Sequence, residues 1–88
     1  MRDVFVTPQF KKEIKRVPRE VIIGVHDLIA ILKKNPTDPT LRIKKLAQID
    51  PSAWRLRIGS YRLVFRYDQT TLTLLHIAHR KEVYRRLL

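Results

Sequence analysis

Four arginines fall within twelve residues, Arg55, Arg57, Arg62 and Arg66, with Gly59-Ser60 between the two pairs. Trp54, Leu56 and Ile58 alternate with Arg55 and Arg57, and Tyr61, Leu63, Phe65 and Tyr67 alternate with Arg62, Val64 and Arg66. Alternation of this kind marks strands with one apolar face, and a two-residue loop with glycine first fits a type II′ hairpin. The pairing that follows sets Ile58 opposite Tyr61, Arg57 opposite Arg62, Leu56 opposite Leu63 and Trp54 opposite Phe65. One face is then wholly apolar and the other gathers guanidinium groups. Like charges directly across a ladder are destabilising, so something other than stability must account for that face. Planar, permanently charged forks side by side suit phosphate, in a nucleic-acid backbone or a phosphoryl transition state. The competing reading is a solvated face whose arginine stems cover apolar sheet.

The C-terminal run His76-Ile77-Ala78-His79-Arg80-Lys81-Glu82-Val83-Tyr84 adds titratable and aromatic groups. His79, Arg80 and Tyr84 fall at the end of a final strand or just past it, where they are expected to converge with Arg57 and Arg62. Histidine is the usual acid or base near neutrality, and an aromatic ring can stack on a base; the alternatives are a structural His79 and a Tyr84 that packs the C-terminus onto the sheet. His76 and His26 read as structural, and Trp54 as core. Lys11, Lys12, Lys15 and Arg16 read as the wet face of a helix, or as a contact for RNA or an acidic partner. Three histidines without a metal-ligand spacing, scattered carboxylates and no cysteine offer no metal site and no thiolate nucleophile, and no cofactor motif is present.

The elements that must carry these residues follow from the pattern. Arg2 to Val6 reads as a short strand. Thr7-Pro8 starts a helix with Phe10, Ile14 and Val17 on its apolar side, and Pro18 ends it. A second helix carries Val21, Ile22, Val25, Leu28, Ile29 and Leu32 as one stripe and stops at Asn35-Pro36. Leu41-Arg42-Ile43 with Leu46, then Trp54 to Ile58, Tyr61 to Tyr67 and Thr71 to Ala78 read as strands, with Asp68-Gln69 as a turn, and Lys81 to Leu88 as a short helix or arm. The expected fold is α+β: an N-terminal strand, a two-helix hairpin, then an antiparallel meander sheet with the helices packed on one face. Residues 1–88 make one domain.

The chain's formal charge is +11, and residues 41–88 carry 11 basic against 3 acidic side chains. That half is the electrostatic footprint, and the expected partner is a polyanion. A domain of this size hides only about 60–65% of its unfolded surface, which leaves one modest core and excludes a separate cofactor domain. The longest apolar run, Leu28 to Leu32, is far below a membrane span. The N-terminus does not read as a signal peptide. A cytoplasmic protein with no membrane partner is expected.

The run from Trp54 to Asp68, followed by Ile77 to Arg85, resembles the RelE/ParE toxin superfamily of toxin–antitoxin modules, and the preceding β-α-α order extends the resemblance over nearly the whole chain. The resemblance implies a RelE-like toxin: an mRNA endonuclease that acts in the ribosomal A site without metal, the ribose 2′-hydroxyl attacking the adjacent phosphate. By position, Arg55 and Arg57 match the basic residues that flank the scissile phosphate, and Arg62 the arginine that stabilises its developing charge. Arg80 matches the arginine linked to leaving-group protonation, and Tyr84 the tyrosine that orients the nucleotide. RelE proper has lysines at the places of Arg55 and Arg57, and a guanidinium is a poor general base. The base is then His79 or Tyr84, or else proximity and charge stabilisation carry most of the rate. The resemblance also implies a cognate acidic antitoxin, and contact with operator DNA only through the toxin–antitoxin complex. The alternatives are a ParE-like gyrase inhibitor and an inactive homologue acting mainly as a corepressor.

Overall fold

Prolines and their neighbours set the helices of the computed structural model, which describes residues 1–46 and 52–82. After strand β1 (Asp3–Val6), the Thr7 hydroxyl accepts the Phe10 N–H at the start of helix α1 (Pro8–Ile14). Pro18 stands at the N-cap of helix α2 (Arg19–Lys34), and Asn35 closes that helix with its N–H on Ile31 O. Phe10, Val17, Val25 and Leu32 are buried against the sheet, whereas Ile22, from the expected stripe, is 39% exposed. His26, expected to be structural, is exposed on α2. The backbones come close at Gly24, where an added Cβ would lie 3.2 Å from Ile58 Cγ2.

Strands β2 (Lys44–Leu46), β3 (Ala53–Ile58), β4 (Tyr61–Tyr67) and β5 (Thr71–His79) form the expected antiparallel meander. The five-stranded order is β1-β5-β4-β3-β2, with β1 parallel to β5 at one edge, a placement that alternation alone does not specify. The β3–β4 register agrees with the hairpin pairing throughout, with Gly59 at φ +59 supplying the turn conformation that favours glycine. Leu56, Leu63, Phe65, Leu72, Leu74 and Ile77 meet the helices as the main core. A smaller cluster of Ala53, Val64 and Ala78, flanked by Leu46 and Leu75, lies on the opposite face. Trp54, expected in the core, packs against it while half-buried, its ring 4.6 Å from that of Tyr67.

Between β4 and β5 the register shifts at Val64/Phe65, so that Val64 pairs with His76 but Phe65 with Leu74. Leu75 is the extra residue of a bulge, and it reverses which face each later residue of β5 occupies. Where β1 ends, α1 takes over the edge of β5. Thr7 Oγ1 donates to Leu75 O, and the buried Glu13 carboxylate accepts the Ile77 N–H at 3.2 Å and lies 3.3 Å from His76 Nδ1. A carboxylate 5% exposed is thereby spent on edge groups that would otherwise be buried without a partner.

The β4–β5 turn rests on Asp68, whose Oδ1 accepts the N–H groups of Thr70 and Thr71, each at 2.8 Å. These bonds, that from the Thr70 N–H first, hold the Asp68 carboxyl below its usual 3.8. A depressed folded-state value stabilises the fold above the unfolded-state value and loses that contribution as pH falls through the folded one. Asp68→Asn is therefore expected to be less stable than wild type at about pH 6, with the gap closing towards about pH 2. Urea midpoints at the two pH values check this; an equal gap at both would show that the turn does not use the charge.

Candidate nucleic-acid interface

The face of the sheet turned away from the helices is read from the register. Arg57 lies directly opposite Arg62, and Arg55 opposite Val64 on β4 and Lys44 on β2. Residues facing one another across a ladder share a face, so Lys44, Arg55, Arg57, Arg62, Val64 and Arg66 lie on one side. Lys44 was missed because the first meander strand was read on the apolar residues of Leu41-Arg42-Ile43 with Leu46, whereas β2 is Lys44–Leu46. The available signal was the Lys44-Lys45-Leu46 alternation, which puts Lys44 on the same side as Leu46. Lys44 and Arg57 are exposed, and Arg55 and Arg66 half-buried.

Arg62 departs from the expected outward cluster, being only 5% exposed. Its Nη1 donates to Tyr61 O at 3.0 Å and Gly59 O at 3.3 Å, so the guanidinium is bent onto carbonyls of its own hairpin. The physical reason is the opposition itself: with Arg57 in solvent, Arg62 finds carbonyl dipoles at the turn, and the two charges part. Arg66 is steadied in a similar way, its Nε donating to Ser52 O at 3.1 Å.

His79 does not converge with these arginines. It pairs with Tyr61 on the helix face, its ring edge-on to the Tyr61 ring at 5.8 Å. Strict alternation from Leu72 and Leu74 would carry His79 to the arginine side, and the bulge at Leu75 turns it the other way. There it lines a cleft of about 300 Å³ with Lys12, Glu13, Arg16, Tyr61 and Glu82. Arg80 is exposed, and its N–H donates to Ser60 O at 2.9 Å, which seats it beside the turn that holds Arg62. Tyr84 lies outside the described residues. Lys11, Lys12, Lys15 and Arg16 are exposed on and just after α1, as a wet face requires.

The structure thus brings Arg55, Arg57 and Arg62 to one face, adds Lys44 and Arg66, sets Arg80 at its end and removes His79. What such a face can do is bind anions and stabilise charge developing on phosphate, with a fixed guanidinium behind exposed ones. By register the imidazole on this side is His76, and it is tied to Glu13 at the sheet edge. Among the described residues no group of three or more His, Asp or Glu is arranged to hold a metal ion, and no helix is long and apolar enough to cross a membrane.

This architecture is shared with solved toxins. A chain of the RelB–RelE antitoxin–toxin complex from Methanococcus jannaschii superposes with a TM-score of 0.79 at 22% identity, covering 96% of this chain and 99% of that one. YafQ from E. coli gives 0.78 at 15% identity, with the same two coverages. A chain of the toxin–antitoxin complex RelBE2 from Mycobacterium tuberculosis gives 0.74 at 24%, over 90% of this chain and 98% of that one. The fold is therefore that of the RelE/ParE-like toxin superfamily. The family model for the ParE toxin of the type II toxin–antitoxin system parDE matches residues 4–84, and the chain belongs to that family. None of the curated proteins matches it.

Proposed function

We propose that this toxin is an endoribonuclease that cleaves messenger RNA on the ribosome, without a metal ion, and so inhibits translation. The observation that carries the reading is the cationic sheet face: exposed Arg57 and half-buried Arg55 on β3, with Arg62 opposite Arg57 in the register and held on the carbonyls of the turn. The 2′-hydroxyl gives its proton to water as its oxygen attacks the adjacent phosphorus, the P–O5′ bond breaks and the leaving oxygen takes a proton from water, leaving a 2′,3′-cyclic phosphate and a 5′-hydroxyl. Arg57 and Arg55 hold the non-bridging oxygens, and Arg62 supplies a fixed charge behind them; Arg80 stands beside the turn, towards the leaving oxygen. Tyr84 is assigned to orienting the nucleotide, on the resemblance alone. With His79 on the far face, proximity and charge stabilisation carry most of the rate, and the ribosome supplies the alignment.

The natural partner is a cognate antitoxin, as the antitoxin–toxin complexes among the structural neighbours suggest; the net charge of +11 calls for an acidic one, with operator DNA met only through that complex. The site of action is the cytoplasm.

A second reading is kept because the matching family model is that of ParE, and because the arginine face lacks the expected His79. It is inhibition of DNA gyrase by binding. Purified toxin is added to programmed ribosomes with labelled message and, separately, to gyrase with relaxed plasmid. Ribosome-dependent cleavage with supercoiling intact supports the nuclease; intact message with blocked supercoiling supports the gyrase reading.

A further inference from the structure

We propose that Lys44 and Arg66 extend the arginine face into a track for one single-stranded RNA backbone, three consecutive phosphates long, running along the strands from the Gly59-Ser60 turn towards Ser52. The identity of the strand rests on the nuclease reading; the track itself rests on register. The cations lie in three rows: Arg57 with Arg62 nearest the turn, Arg55 with Lys44 two residues further along β3, and Arg66 level with the far end of β3. A step of two residues along a strand is about 6.6–6.8 Å, the scale of the spacing between successive phosphates in an extended nucleic-acid strand. Across a row the step is one strand spacing, about 4.8 Å, enough for two cations to flank one phosphate and too little for two backbones. Arg66 is aimed by its bond to Ser52 O, and Lys44 occupies the exposed edge of the row. Within the rows the remaining places are apolar: Val64 stands beside Arg55 in the middle row, and Ala53 beside Leu46 at the far end of β3.

Lys45 is the internal control. It has the same charge one position along, but pairs with Trp54 on the other face, with Nζ 5.9 Å from that ring. The experiment measures binding of the free toxin to a single-stranded oligoribonucleotide with 2′-O-methyl groups, which cannot be cleaved, across a salt series. Lys44→Ala is expected to reduce the slope of log affinity against log salt by about 0.7, the value for one phosphate contact on a single strand, and Lys45→Ala to leave it unchanged. Equal slope changes in the two variants, or none in Lys44→Ala, would overturn the track. Wild-type cleavage of ribosome-bound message, run alongside, separates the two proposals. A slope loss confined to Lys44→Ala without cleavage sinks the nuclease and keeps the track, whereas cleavage with equal slopes does the reverse.

Discussion

Arg57→Ala should slow cleavage of ribosome-bound message by about 10²–10³-fold, the usual cost of removing one donor aimed at transition-state charge, while the domain stays as stable as wild type or gains up to about 1 kcal/mol. The two halves of this expectation have one cause. Arg57 is exposed and lies opposite another arginine in the register, so the fold gains nothing from its charge. Arg62→Ala differs, because it also removes the hydrogen bonds to Tyr61 O and Gly59 O and should cost about 1–3 kcal/mol in addition to activity. Single-turnover cleavage and urea unfolding of both variants provide the check. An Arg57→Ala protein that cleaves normally, or that loses activity only because it unfolds, would count against a phosphate-handling role.

Phe65→Ala should destabilise the fold by about 3–5 kcal/mol. The ring is fully buried at the centre of β4, between Trp54 of β3 and Leu74 of β5 in the register, and it packs under both helices' core residues. For 88 residues the whole stability is about 4–13 kcal/mol, so this one change removes a large part of it. A fall in melting temperature of at least about 12 °C is expected by calorimetry, and Phe65→Leu should recover most of it. A shift of only a degree or two would mean that the core lies elsewhere than between this face and the helices.

The hairpin could be read residue by residue, because alternating side chains fix the faces and Gly59-Ser60 fixes the loop length. The same alternation misled at His79: no glycine or proline marks the bulge at Leu75, and one unpaired residue moves every later side chain to the other face. Arg62 shows a different limit. Its position on the face was legible, but the choice between solvent and the carbonyls of the turn depends on the folded backbone. Glu13 was legible in principle, since Phe10, Glu13, Ile14 and Val17 share one helical stripe; only the apolar members of that stripe were read as facing inward. β1 offered no cue to its parallel partner, because a period of two says which face a residue takes and nothing about which edge of the sheet the strand joins.

We place the chemistry on the arginine face and not in the cleft beneath α1. Single-turnover cleavage of message on programmed ribosomes, compared for Arg57→Ala and His79→Ala, addresses this placement most directly. The expected result is a loss of about 10²–10³-fold for Arg57→Ala, with His79→Ala within a few-fold of wild type. Collapse of His79→Ala beside a normal Arg57→Ala would contradict the assignment and move the reaction to the other side of the sheet.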